Sequence, residues 1–454
     1  MNSGDRYMRL SIIISSLSIL LCFSGCAFPN STECRNQENT MTADFFDPEN
    51  YSGSDVERIN AALADAGECG GTVRLCPKKS TDIPEKERHI WRVDSAVLLP
   101  GNVHLIIDNC TLKRSDLSRD NIIRSANCIA NSKTIARLKN IRITGINNAV
   151  IEGADVPRST GDYAKLQYKP GFVPEGRCSF GSDAGKAGEY QKGDWRNISI
   201  LLAKVDDFTI DGLKIRDSHC WAVVLEQCTD GNIRNLEFDS NNGKMVNGKW
   251  ELFRNQDGLD LLRGCHDITI ENISGHTGDD LIAICAIGNT RVGNAGITGG
   301  GQFLSGDENV SDGDIYNITI RNVRGYCAGG HHVIRFLNSR GAKIYNVIVD
   351  DVIDTAPAGK LNNSTIRIGD TNPAWGGVTP LGDTHTFIIN NVVSNANYPI
   401  LISGSLQDSI ISNVINLNLK AEPVVFLSGK ENVKNVIISN TLTRSPAPAV
   451  RSGK

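Results

Sequence analysis

The chain has 454 residues, 44 of them glycine, with 6% aromatic residues and a formal net charge of −4. Its 47 lysines and arginines nearly balance 51 aspartates and glutamates, which argues against a basic nucleic-acid-binding surface. This is the composition of a large folded chain and not of a disordered one.

Arg6 and Arg9 precede an apolar run from Leu10 to Phe23, followed by Ser24-Gly25-Cys26. A charged start, a short apolar stretch and small residues before the cut describe a secretory signal over residues 1–26. The run is shorter than the ~20 apolar residues of a comfortable membrane span. Leu21-Cys22-Phe23-Ser24-Gly25-Cys26 resembles a bacterial lipobox, with Phe23 where leucine is the better match. That implies a lipid on Cys26, attachment to a membrane through it, and an exported lipoprotein of the outer membrane that faces the periplasm or the cell surface. Residues 27–48 read as a polar tether and residues 49–454 as one domain.

Ser54 to Leu63 reads as an amphipathic helix that caps the domain, with Ser54 as its N-cap and Glu57 three residues on. Strands follow at Gly70–Leu75, Val97–Leu99 and Val103–Ile107. The chain has 13 cysteines, and those beyond Cys22 and Cys26 are odd in number and scattered, which is no disulfide framework. Cys69 and Cys76 lack the spacing of a zinc knuckle. Cys220, Cys228, Cys285 and Cys327 sit in apolar runs as small core residues, with room for one or two local disulfides. From Asp155 to Asp194 the chain is rich in Gly, Lys and Tyr without periodicity, and its length marks it as a lid or cleft wall.

A degenerate repeat then organises the chain. One class of short alternating strands includes Ile141-Arg142-Ile143, Phe208-Thr209-Ile210, Ile268-Thr269-Ile270, Ile318-Thr319-Ile320, Val347-Ile348-Val349, Phe387-Ile388-Ile389 and Val436-Ile437-Ile438, each with a polar approach that often contains Asn or Asp. A second class interleaves: Val223, Leu259, Ile282, Ile334, Ile366, Ile400 and Val424 each open one. Period-2 alternation marks half-buried strands. A rung of about two dozen residues with insertions is the signature of a solenoid. Hairpin signals are scarce and no long helices alternate with the strands, which excludes a sandwich and a βαβ fold. The fold predicted is all-β, a right-handed parallel β-helix.

Three segments break the repeat: Asn255-Gln256-Asp257-Gly258-Leu259-Asp260, Gly278-Asp279-Asp280-Leu281-Ile282-Ala283-Ile284 and Gly329-Gly330-His331-His332-Val333-Ile334-Arg335. Asp257 and Asp280 each lie two residues before an apolar strand residue, one coil of 23 residues apart, so the carboxylates should stand level on adjacent rungs. Counting back from Ile334 puts His332 on the next rung. Asp279, at a Gly-flanked bend, can turn to the same outer face. Stacked acids raise at least one carboxyl pKa, which supplies a general acid beside an ionised base, the equipment of glycoside hydrolysis. Aspartate is also common in turns for its local hydrogen bonds, but the whole constellation at one-coil spacing is not explained that way.

These segments resemble glycoside hydrolase family 28, the polygalacturonase family, over about Asp55 to Gly404. Asp211 to Ser218 followed by Trp221 looks like the stretch before the family's catalytic rungs. Asn255-Gln256-Asp257 is similar to its Asn-Thr-Asp motif, Gly278-Asp279-Asp280 to its Gly-Asp-Asp, and Gly330-His331 to the start of its Gly-His-Gly. The resemblance implies that Asp279 is the general acid and that Asp257 and Asp280 activate the water, giving inversion. It gives His331 the assisting role. His332 replaces a glycine and the apolar register after it is shifted by one, so His331 and His332 compete. The family's Arg-Ile-Lys, which grips a galacturonate carboxylate, reads Arg367-Ile368-Gly369 here, without the lysine. An insertion containing the Gly-rich run Gly293 to Gly306 separates Asp280 from His331.

Arg254, Arg263 and Arg335 flank the expected cleft and are candidates to replace the lysine. Arg335, Arg367, Asn255 and Trp375 are the candidate substrate-binding residues, with Trp375 either a sugar platform or a loop anchor. Trp195 and Trp221 read as packing. The reading is an inverting, polygalacturonase-like glycosidase acting as a monomer on an acidic or substituted polysaccharide. No metal or organic cofactor is implied, since no nucleotide, haem or zinc motif is present. Two alternatives stay open. One is a lyase or uronate epimerase on this fold, which would use clustered carboxylates around a hard cation and Arg335 as base. The other is a non-catalytic glycan-binding β-helix.

Overall fold

The computed structural model describes residues 45–116, 118, 120–129, 134–156, 198–246, 248–252, 256–287, 313–339, 341–446 and 448–452. Cys26, Trp195, Arg254, Asn255, residues 157–194 of the expected cleft wall and the run 293–306 lie outside these.

Alternating apolar residues build two long parallel sheets, as the repeat predicts. One stacks Leu138–Ile146, Val205–Asp211, Thr229–Asp239, His266–Thr277, Ile315–Cys327, Ile344–Asp354, Thr384–Ser394, Leu406–Asn416 and Val433–Thr443. The other runs through Ile200–Ala203, Val223–Glu226, Leu259–Leu262, Ile282–Ile287, His332–Ser339, Ser364–Ile368, Tyr398–Ile402 and Val424–Phe426. Parallel neighbours joined by crossovers wind right-handed, which gives the right-handed parallel β-helix. Val223, Leu259, Ile282, Ile334, Ile366, Ile400 and Val424 pair in one continuous register. All seven are fully buried. Each such side chain contributes roughly 1.5–3 kcal/mol of transfer free energy, so a charge placed at any one of them would open the stack.

The turns explain the Asn and Asp punctuation. Asp267, Asn317 and Asn346 all have positive φ, a conformation these two residue types tolerate best after glycine. Their side chains form a ladder, Asn317 donating to Asp267 at 2.8 Å and Asn346 to Asn317 at 3.1 Å. Beside it, His266, Tyr316, Tyr345 and His385 stack ring on ring at 4.5, 5.0 and 5.0 Å between centroids.

The N-terminal end is closed by the helix Asp55–Cys69, started by a reciprocal Ser54–Glu57 capping box and ended by Gly70 in the left-handed conformation. Val56, Ile59, Leu63 and Ala66 press onto the first coil and cover its strand edge. Phe45 and Phe46, inside the segment read as a tether, already pair with Thr72 and Val73. The sheet therefore begins upstream of residue 49, because the two phenylalanines carry it across the polar stretch. The nine described cysteines form no disulfide with one another, so the local disulfides the sequence left room for are not found among them. No helix among the described residues is long and apolar enough to cross a membrane.

Candidate active site

The outer face of the second sheet carries one line of side chains across its rungs: Val224, Asp260, Ala283, Arg335, Arg367 and Leu401. Just before these strands the turns bring up Asp257, Asp279, Asp280, His331 and His332. Backbone bonds hold those turns to one another. Gly258 N–H donates to the Asp280 carbonyl at 2.9 Å, and Leu281 N–H to that of His332 at 3.1 Å. The Gln256 carbonyl accepts from both Gly278 and Asp279 N–H at 3.1 Å, which fixes the bend that presents Asp279. The Gln256 amide donates to the Ser218 carbonyl at 2.5 Å and ties this turn to the rung before it.

The turns and strands line a cavity of about 730 Å³. Carboxylate oxygens of Asp257, Asp279 and Asp280 lie within 4.8 Å of one another at its floor. His331 Nδ1 is 3.6 Å from Asp279 Oδ1, and the His331 side chain is half exposed. His332 points elsewhere: it is 2% exposed, with Nδ1 2.8 Å from Ser364 Oγ and Nε2 3.3 Å from Arg367. Its N–H donates to Asp280 Oδ1 at 3.0 Å. The one-residue register shift after His331 thus leaves one histidine facing Asp279 and sends the other into the wall.

Two arginines form the opposite side. Asp370 bridges them, 2.7 Å from Arg335 and 2.9 Å from Arg367. Arg335 also lies 3.7 Å from Asp280, and its guanidinium packs 5.1 Å from the Trp375 ring centroid. Trp375 therefore lines the cavity and anchors its loop at once.

Burial raises all four carboxyl pKa values at the floor. Asp257 and Asp260 are pushed well above the ordinary carboxylate range by desolvation and then by neighbouring acids. Desolvation also raises Asp279, against the pull of His331 and Arg335. Asp280 is raised to about 6, with desolvation partly offset by Arg335 and by the His332 N–H bond. Burial, and then the two arginines, hold His332 well below the usual histidine value, so it is a neutral ring. Desolvation thus favours the protonated form at all four acids, and so supplies a proton donor in the cluster.

A hard cation takes six to eight oxygen ligands. The three acids offer one oxygen each to such an ion, and the guanidinium of Arg335, 3.7 Å from Asp280, already supplies a positive charge beside them.

Among the expected residues, Asp257, Asp279, Asp280, His331, His332, Arg335, Arg367 and Trp375 all line this cavity. Arg263 does not: it is buried in an ion pair with Glu226 at 3.1 Å, so it is no substitute for the lysine. Trp221, read as packing, packs in an apolar cluster and also lines the cavity. Cys285, read as core, is part of the same lining. Sequence reasoning missed Asp260, Asp370, Asn363 and Asn397, which line it too. An aspartate between two core leucines was the available signal for Asp260.

The model of glycosyl hydrolases family 28 matches residues 95–305, a stretch that contains Asp257, Asp279 and Asp280. No curated protein matches the chain. Among solved structures, it is similar to a polygalacturonase from Erwinia carotovora ssp. carotovora, with 17% identity, 93% of this chain and 100% of that one covered, and a TM-score of 0.49. It is similar also to a hyperthermoactive exopolygalacturonase from Thermotoga maritima, with 15% identity, coverage of 89% and 93%, and a TM-score of 0.49. PfbA, a surface adhesin of Streptococcus pneumoniae, is similar at 11% identity, with coverage of 90% and 93% and a TM-score of 0.48.

Proposed function

We propose that this chain is a glycoside hydrolase of the family-28 type, cleaving glycosidic bonds of an acidic, pectin-like polysaccharide. The observation that carries the reading is the cluster of Asp257, Asp279 and Asp280, oxygens within 4.8 Å, at the floor of an open cavity beside His331. Asp279, which desolvation raises and which the resemblance makes the acid, donates its proton to the leaving oxygen. His331 beside it stabilises the carboxylate left behind. Asp280, which Arg335 makes easier to ionise than Asp257, is the base, and Asp257 completes the seat of the attacking water. Arg335, Arg367 and Trp375 hold the sugar, the arginines through its acidic group and the indole through its apolar face. Asparagine in place of Asp279 should abolish the release of reducing ends from such a polysaccharide while leaving the fold intact.

Inversion follows from the resemblance. The alternative stereochemical outcome is retention through a covalent intermediate. Proton NMR of the first product formed distinguishes the two by its anomer.

For localisation, the proposal is export and a lipid on Cys26. Cys26→Ser would release the protein from membranes, and mass spectrometry would find no acylated N-terminus.

A further inference from the structure

Trp250 is 60% exposed, an uncommon setting for a side chain that is highly buried on average. It belongs to an antiparallel hairpin, Lys244–Val246 paired with Lys249–Glu251, which is separate from the two parallel sheets. The hairpin follows Asp239 and precedes Gln256 and Asp257, so it is inserted in the turn that ends at the floor of the cavity.

Alternation sorts the side chains of the hairpin onto two faces. Lys244 turns to the body of the protein, where its Nζ donates to the Ala154 carbonyl at 3.0 Å and lies 3.5 Å from Asp217. Met245 and Trp250, paired directly across the hairpin, share the other face, and both are exposed. Gly243 seats the indole on that face. A Cβ on Gly243 would lie 2.5, 2.6 and 2.8 Å from Nε1, Cε2 and Cζ2 of Trp250, so the ring rests against bare backbone. One side of the indole is thus held, and the rest is open to solvent.

The root of the hairpin reaches the catalytic turns. Asn241 Oδ1 is 3.3 Å from the place a Cβ on Gly278 would take, directly before Asp279. Asn242 Oδ1 lies 3.3 Å from Nε2 of His276, on the strand that leads into the same bend.

We infer that Trp250 is a stacking platform for a pyranose ring of the polysaccharide, a subsite outside the residues that line the cavity. This rests on the hydrolase reading for the chain that the cavity holds but not for the stacking itself. The indole is a rigid apolar plate, and the C–H-rich face of a pyranose ring is its complement. One indole beside one methionine matches the size of a sugar ring and falls far short of the roughly 800 Å² per partner of a stable protein interface. Its root on the bend that carries Asp279 ties the platform to the substrate of that site.

Affinity electrophoresis through gels that contain polygalacturonate or esterified pectin tests it, with Asp279→Asn as the parent so that the chain is not cleaved. The parent should be retarded. Adding Trp250→Ala should weaken binding about 10-fold, the effect of uncovering roughly 60 Å² of apolar surface, and Trp250→Phe should restore most of it. Equal retardation with and without the indole, or none in the parent, would overturn the inference. So would a Trp250→Ala variant that loses self-association while its polysaccharide affinity is unchanged, since the face would then belong to a protein partner. In kinetics with Asp279 intact, Trp250→Ala should raise KM on the polymer about 10-fold with kcat little changed. If retardation depends on the indole but the wild type releases no reducing ends, the platform stands and the hydrolase reading fails.

Discussion

Gly369 and Gly404 stand back to back: a Cβ on Gly369 would lie 2.5 Å from the Gly404 nitrogen, and one on Gly404 would lie 2.9 Å from the Gly369 Cα. Gly369 also has φ of +72°, where side chains are strained. The missing lysine of the Arg-Ile-Lys pattern is thus a property of this backbone, since neither space nor conformation allows a side chain there. Restoring it, as Gly369→Lys, should cost at least about 1–2 kcal/mol of stability and give no gain in kcat/KM. Thermal unfolding checks this, and an unchanged Tm would refute the steric account.

The two histidines should separate cleanly. His331 is half exposed beside Asp279, so His331→Ala should lower kcat about 10- to 100-fold with little change in Tm. His332 is buried between Ser364 and Arg367, so His332→Ala should destabilise the fold by about 1–3 kcal/mol. Paired kinetics and denaturation curves would reverse this order if His332 were the residue that meets the substrate.

Asp280 is costly to the fold when ionised. Its carboxyl titrates at about 6 in the folded chain against an ordinary 3.8, so the unfolded chain releases that proton first. Stability therefore falls as pH rises through that window, and the whole loss is in force above pH 6. Asp280→Asn should be more stable than the wild type at pH 7 by at most about 3 kcal/mol, with the gain shrinking toward pH 4. Urea titrations at the two pH values measure it; a variant less stable at pH 7 than at pH 4, relative to wild type, would contradict the assignment.

Arg367 presents its guanidinium to the cavity while Asp370 braces it. Arg367→Gln should raise KM about 10-fold or more on a polyuronate and leave KM on its carboxyl-reduced form unchanged. Equal effects on both chains would remove the acidic group from the recognition.

The fold was legible because its signal is redundant. Each rung repeats the same apolar pair, so Leu259, Ile282 and Ile334 set the register despite the insertion between the last two, and that register places Asp257, Asp280 and His332 on neighbouring rungs. What stayed hidden depends on contacts between rungs of unequal length. Arg263 looked like a cleft residue because its partner Glu226 lies 37 residues earlier in the chain, before the paired strands Lys244–Val246 and Lys249–Glu251. Asp260 was read as one more alternating strand position, since an outward-facing aspartate becomes buried only when the turns of adjacent coils close over it. Asp370, the bridge between two arginines, follows a glycine whose own reason is the distant Gly404.

The central claim is that Asp279 and Asp280 cleave a glycosidic bond by hydrolysis. The direct test incubates purified wild type, Asp279→Asn and Asp280→Asn with pectic and other acidic polysaccharides, recording reducing ends and ultraviolet absorbance with and without a chelator. Our account predicts new reducing ends without absorbance, unaffected by the chelator and lost in both variants. Absorbance from a new double bond that disappears with the chelator would contradict it and assign the cluster to a lyase.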